Sequence, residues 1–173
     1  NHNVLGITKA YTTRVGSGPF VTELDNEIGD HLVDKGQEFG TVTKRKRRCG
    51  WFDAVLVGQS IAINGITDVV LTKLDVLDEL EEIQVCVGYE TKHKKYNYLP
   101  FDENIQNILM PIYETIPGWQ ESTFGLTSWD DLPKKAQSYI NFLESKIQKN
   151  ISIISTGPDR AHTIDRNNLL GNN

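Results

Sequence analysis

Sulfur is scarce in this chain of 173 residues: there are two cysteines, Cys49 and Cys86, and one methionine, Met110. The cysteines lie far apart and outside any CxxC spacing, which excludes a disulfide framework and a cysteine-built zinc site and suits a reducing, cytoplasmic compartment. No apolar run approaches the ~18 residues a membrane helix needs, so no membrane partner is expected. Positive charge is in deficit, with 18 Lys and Arg against 23 Asp and Glu for a net charge of −5. That balance argues against a surface given over to nucleic acid. The phosphate-cradling patterns G-x-x-x-x-G-K-[ST] and G-x-G-x-x-G are missing, because Gly16-Ser17-Gly18-Pro19 neither follows a clear strand nor opens a helix. The four histidines are His2, near the terminus, His31, which follows Asp30, His93, in a lysine-rich stretch, and His162, near the other end. None has a partner at metal-ligand or triad spacing, so all four read as surface residues. An initiator methionine and a signal-peptide pattern are also lacking where Asn1-His2-Asn3 runs into Val4-Leu5-Gly6-Ile7, which reads as a processed or truncated piece of a longer chain.

What is present is the composition of a folded protein, 38% hydrophobic and 24% charged, at a length that suits one domain. One helix is expected from Asp53 to Ile63, stopped by Asn64-Gly65. A second is expected to open at Asp130 or Asp131 with Pro133 in its first turn, where Leu132, Ala136, Tyr139, Ile140, Leu143 and Ile147 form an apolar stripe at helical spacing. Both read as core-facing. Short β-branched runs at 68–72, 83–89 and 151–154 read as strands. The first and last are nearly all apolar, as strands are when helices cover both sheet faces. The segment from Ile83 through Thr91-Lys92-His93-Lys94-Lys95 to Leu99 reads as an exposed antiparallel hairpin. The expected class is α/β, with a mixed, largely parallel sheet, flanking helices and long functional loops. The stretches 8–50 and 111–128 read as irregular, and loops beyond about 12 to 15 residues are commonly functional.

Three segments carry candidate chemistry. Thr72-Lys73-Leu74-Asp75 follows the apolar run Val69-Val70-Leu71; a strand-end Asp can accept both N1–H and the 2-amino hydrogens of guanine while the lysine stem lies along the base. The competing reading is a strand ending in solvated charge. Ser155-Thr156-Gly157-Pro158-Asp159-Arg160 also follows a buried run, and its small residues let backbone groups approach a planar ligand, unless it is an ordinary turn. Gly40-Thr41-Val42-Thr43-Lys44-Arg45-Lys46-Arg47-Arg48 joins hydroxyls to five consecutive basic residues, which suits a small dianion held by guanidinium forks. A solvated charge run and a nucleic-acid-binding module using 44–48 compete with it. Cys49, beside the cluster, reads as an ordinary small apolar residue rather than a reactive thiol.

The order of motifs resembles adenylosuccinate synthetases. Val4 through Gly16, Gly18-Pro19-Phe20, Glu38-Phe39-Gly40, Arg47-Arg48-Cys49-Gly50-Trp51, Leu71 through Asp78, Pro111-Ile112-Tyr113-Glu114-Thr115, Pro117-Gly118-Trp119, Glu121-Ser122-Thr123-Phe124-Gly125 and Ile154 through Arg160 stand in family order. The resemblance identifies residues 1–173 as the carboxyl-terminal portion of a larger single-domain enzyme, with an aspartate-binding loop at about 37–48 and guanine-binding loops at about 72–78 and 155–160. It implies a purine-biosynthetic ligase in which GTP phosphorylates the 6-oxygen of IMP and the amine of L-aspartate then displaces phosphate. By that resemblance Lys73, Leu74, Asp75, Ser155, Thr156, Gly157 and Arg47 bind GTP. Thr41, Val42, Thr43, Lys44, Arg45, Lys46 and Arg47 bind aspartate, and Arg45, Val15 and Gly16 bind IMP, while Arg48 is given no ligand. The family's Mg2+ ligands, catalytic Asp and His and glycine-rich phosphate segment belong to its amino-terminal part, and the full-length enzyme is a homodimer. Val42 stands where the family usually has threonine, Lys44 where it has glycine and Lys46 where it has arginine.

Overall fold

The computed structural model describes residues 3–42 and 44–171. The readings made for His2 and Thr43 therefore lie outside the described residues. In chain order the elements are β1 (Leu5–Lys9), β2 (Thr12–Arg14), α1 (Glu27–Gly36), β3 (Arg48–Gly50), β4 (Phe52–Asp53), α2 (Ala54–Asn64), β5 (Asp68–Thr72), a 3-10 turn (Leu74–Leu77), β6 (Glu82–Glu90), β7 (Lys95–Tyr96), α3 (Glu103–Gln106), β8 (Met110–Pro117), α4 (Lys134–Ile147), β9 (Ile151–Ser155) and β10 (Thr163–Asp165).

The two apolar runs stand side by side at the centre of a sheet ordered β1-β5-β9-β10. β5 is parallel to β1 and to β9, and β10 closes the far side antiparallel. Burial follows: residues 151–154 are all buried, as are Val69 and Leu71. Parallel strands need crossovers, and α2 and α4 supply the helices of that layer and pack on each other. Asp53 caps α2 by accepting from Leu56 N at 3.0 Å, and Gly65 ends it in the left-handed region at φ 61°. Among the residues of α2, however, only Ala54 and Ile61 are fully buried. Its Leu56 and Val57 instead join Ile7, Ile66 and Val69 around an open cavity beside β1.

α4 begins at Lys134, later than the sequence suggested. Pro133 is extended (φ −50°, ψ 139°) at the cap, and a residue before proline is disfavoured in the helical region, so the helix cannot run back through Leu132. The whole expected stripe, from Leu132 to Ile147, is buried.

Three expectations are corrected by tertiary pairing. The stretch 8–50 is not irregular, since it holds β2, α1 and β3. α1 is capped by Asn26, whose side chain accepts from Gly29 N at 3.0 Å, and it is diluted by Gly29 and Gly36, which weakens its helical pattern. Both glycines are close-approach sites: a Cβ on Gly29 would strike Leu24 O, and one on Gly36 would strike Tyr11 Oη. The stretch 111–128 also contains structure, because β8 pairs antiparallel with β6 from Glu82↔Pro117 to Glu90↔Met110. Pro111 and Pro117 sit near its ends, where a missing N–H is tolerated. The expected exposed hairpin is correspondingly a buried strand with an exposed tip. β6 is flanked by β4 and β8, its Ile83, Val85, Cys86 and Tyr89 are fully buried, and only β7 and the exposed residues 92–95 match the expectation.

Candidate functional site

β5 delivers the first candidate loop. At its end Lys73 takes the left-handed region (φ 63°), which side chains other than glycine rarely adopt, and the chain turns at once into the 3-10 turn that carries Asp75. Lys73 Nζ donates to Gly36 O at 2.6 Å, tying this turn to the end of α1. Asp75 lines a cavity of ≈ 500 Å³ together with Lys35, Asp78, Gln120 and Phe124. Burial raises its carboxyl above the usual aspartate range, against the opposing pull of its own backbone N–H and of Lys73. Among the described residues no other side chain bonds that carboxylate, which its own backbone N–H reaches and which lines the cavity.

Two further loops are laced around this turn. Asp78 accepts from Trp119 Nε1, Thr123 N and Thr123 Oγ1, each at 2.7 Å, which fixes the segment 119–123. Gly125 N donates to Thr156 O at 3.1 Å, and Thr156 Oγ1 donates to Leu126 O at 2.8 Å, so the segment 122–126 is bound to the loop that follows β9. Thr156 is fully buried and its hydroxyl is engaged, while Ser155 Oγ donates to Gly157 O at 2.9 Å. What this loop offers a ligand is therefore mainly backbone, at a half-buried Gly157 that packs against His162 and Phe124.

The basic loop is a closed excursion. Gly40 N donates to Arg45 O at 2.8 Å, Arg47 N donates to Glu38 O at 2.9 Å, and Phe39 and Lys46 form an isolated antiparallel bridge. Thr41, Val42, Lys44 and Arg45 are exposed, with Val42 at 91%. Lys44 is left-handed at φ 53°, the conformation a glycine would take at lower cost. Beneath the loop Glu38, 1% exposed, accepts from Lys9 Nζ at 2.8 and 2.9 Å, from Tyr11 Oη at 2.6 Å and from Arg47 Nη1 at 2.9 Å. Burial pushes the Glu38 carboxyl up, but these donors more than offset it and hold it below the usual range.

The charge run is not simply solvated. Lys46 pairs with Asp30, Arg47 with Glu38, and Arg48 with Glu23 through two hydrogen bonds of 2.6 Å. Arg48 Nη1 also donates to Gly16 O at 3.1 Å and Gly18 O at 2.9 Å. It thereby pins the loop that holds Val15 and Gly16, both exposed. A cluster in which three basic residues are matched by carboxylates is a poor electrostatic footprint for a polyanion, and the nucleic-acid reading is not supported. Cys49 is buried, and burial pushes its thiol up to about 11, as befits an apolar filler rather than a nucleophile.

The structure thus joins the two predicted loop systems at the end of α1, through Lys73 on Gly36 and the Glu38 cluster two residues on. It also adds residues that sequence reasoning passed over. Phe124, 56% exposed, lines the Asp75 cavity and meets His162 edge-on at 5.0 Å between ring centroids. His162, read as a surface residue, is half-buried, and its Nδ1 is buried without a partner among the described residues. His31 is half-buried too, with Nε2 3.0 Å from Val76 O. Glu38, Asp78 and Phe124 each lie inside motifs visible in the sequence, but nothing local distinguishes a buried carboxylate from an exposed one.

The family model for adenylosuccinate synthetase matches residues 1–164. A curated adenylosuccinate synthetase from Marinobacter nauticus is 55% identical over 168 residues, which are 97% of this chain and 39% of that protein. A fully ligated adenylosuccinate synthetase from Plasmodium falciparum superposes with a TM-score of 0.90 at 42% identity, covering 95% of this chain and 40% of the other. A cyanophage S-2L succinoaminodeoxyadenylate synthetase, bound to dGMP and to dATP as energy donor, is alike in fold alone, with a TM-score of 0.51 at 17% identity. The chain therefore spans well under half the length of the relatives it matches, and by model, identity and superposition it belongs to the adenylosuccinate synthetase family.

Proposed function

We propose that the protein containing this chain is a cytoplasmic, homodimeric ligase that joins L-aspartate to IMP at the expense of GTP, and that residues 1–173 are its carboxyl-terminal portion. The observation that carries the reading is Asp75: a half-buried carboxylate just past the end of a central strand, lining a cavity, with no other side chain among the described residues bonded to it. Adjacent acceptors there suit the N1–H and 2-amino donors of guanine and reject adenine, which lacks that donor pair. Lys73 and Leu74 complete the turn under the base, and the loop Ser155, Thr156, Gly157 closes on it with backbone groups.

Aspartate is a dianionic substrate, and the loop Thr41, Val42, Thr43, Lys44, Arg45, Lys46, Arg47 offers it guanidinium forks and backbone amides. Arg45, with Val15 and Gly16, also faces IMP, and Arg47 reaches GTP. The role of these groups is orientation: they aim the aspartate amine at the purine carbon whose oxygen GTP has phosphorylated, which turns a reluctant leaving group into phosphate. Mg2+ would stabilise the charge of the phosphoryl group in flight. Among the described residues no group of three or more His, Cys, Asp or Glu converges to hold a metal ion. No helix among the described residues is long and apolar enough to cross a membrane. The test is formation of adenylosuccinate by the full-length protein from IMP, GTP and aspartate, followed chromatographically. Product that requires all three substrates is expected, and its absence overturns the reading.

A further inference from the structure

Three donors from two parts of the chain converge on one carboxylate. Lys9 ends β1, Tyr11 follows it by two residues, and Arg47 leaves the basic loop, yet all bond Glu38. The backbone of Glu38 grips the loop as well, since its carbonyl accepts from Arg47 N at 2.9 Å. Both the main chain and the side chain of one residue therefore hold Arg47. Lys9 is fixed in turn by Thr13 Oγ1 at 3.0 Å, so the cluster is anchored to β2 as well as β1. Gly36, without a Cβ, leaves room for Tyr11 Oη, and its carbonyl receives Lys73. At 1% exposure Glu38 has no surface with which to touch a substrate.

We infer that Glu38 is a positioning residue for the aspartate-binding loop, fixing Arg47 at the loop exit against Lys9 and Tyr11 so that Arg45 and the loop amides meet the substrate carboxylates in one geometry. The inference rests on the reading of residues 41–47 as the aspartate site. A guanidinium bonded through Nη1 to a buried carboxylate is restricted in the directions its other amino group can take, which favours recognition of a small anion in one geometry. Without the carboxylate, Lys9 and Arg47 lose their shared counter-charge and repel each other, and the loop is released at its exit.

The experiment is steady-state kinetics of the full-length enzyme carrying Glu38→Gln or Glu38→Asp, with melting temperatures measured alongside. Glu38→Gln is expected to raise the KM for aspartate roughly tenfold or more, with smaller rises for GTP, which Arg47 also reaches, and for IMP, which Arg45 also faces. Glu38→Asp keeps the charge but not the reach and gives a smaller rise in the same constant. A merely structural role lowers the melting temperature and the yield of active enzyme and leaves the aspartate KM at the wild-type value. That outcome overturns the inference, as does an equal rise in all three constants. If the Gln variant does not fold, the Asp variant decides by the same criterion. Arg45→Leu separates the two levels. An aspartate KM indifferent to Arg45→Leu removes the loop reading itself, whereas one that responds to Arg45→Leu and to neither Glu38 variant removes only the role of Glu38.

Discussion

A carboxylate that reads guanine must accept from two donors at once, and an amide of the same shape cannot. Asp75→Asn replaces one acceptor with a donor that faces the donors of the base. In the full-length enzyme the variant is expected to lose kcat/KM for GTP by about 2–4 kcal/mol, which is roughly 30- to 1,000-fold. Xanthine carries an oxygen where guanine carries the 2-amino group, so XTP accepts from the new amide and its use should rise, with the constants for IMP and aspartate much less affected. The measurement is kcat/KM for both nucleotides in both proteins, and an unmoved GTP to XTP ratio removes Asp75 from the base. The sequence supplied the strand, the turn and the residue. It did not show that burial raises the Asp75 carboxyl, nor that Phe124 and His162 stand beside its cavity, because those facts depend on segments far away in the chain.

Among the loops, Arg45 and Arg48 are near neighbours with different duties. Arg48 is spent on Glu23 and on the carbonyls of Gly16 and Gly18, so its loss should disturb the loop carrying Val15 and Gly16. Arg45 lies exposed on the basic loop. Arg48→Leu is accordingly expected to act mainly on the KM for IMP, whereas Arg45→Leu acts on aspartate as well. Loss of a charge-assisted hydrogen bond costs ~1.5–3 kcal/mol, and the Arg48–Glu23 pair, about a third exposed, is screened and contributes at the low end. Steady-state constants for all three substrates distinguish the cases, and identical profiles from the two variants would refute the division of labour. The motif Arg47-Arg48-Cys49 gave no hint of this, since the partners of Arg48 lie some 25 to 32 residues away.

Over the molecule as a whole, β1 sits at the end of the strand order and exposes Leu5 and Ile7, the latter at 75%. Beside it lies a cavity of ≈ 340 Å³ walled by Ile7, Leu56, Val57, Ile61, Ile66 and Val69. A sheet edge and an apolar cavity thus lie side by side along the strand that leads to Lys9 and the Glu38 cluster. Phosphoryl transfer needs a phosphate cradle and a metal as well as a base reader. The sequence has no glycine-rich cradle, and the described residues hold no metal-binding cluster. The isolated 173-residue chain is therefore expected to form no adenylosuccinate from IMP, GTP and aspartate. Turnover by the purified chain alone would show that the chemistry resides in it after all.

The sequence by itself determined the parts whose physics is local. The apolar runs at 68–72 and 151–154, the Asp53 and Gly65 boundaries of α2, and the stripe of α4 are set by side-chain periodicity and capping, which neighbouring residues suffice to write. The order of motifs likewise identified the family. Only the tertiary structure decided that 110–117 is a strand, that 27–36 is a helix despite two glycines, and that 83–90 is buried, because each is stabilised by partners distant in sequence. The same holds for Glu38. A carboxylate becomes the centre of a buried ion-pair cluster only when the fold brings Lys9, Tyr11 and Arg47 around it, and no local pattern encodes that meeting.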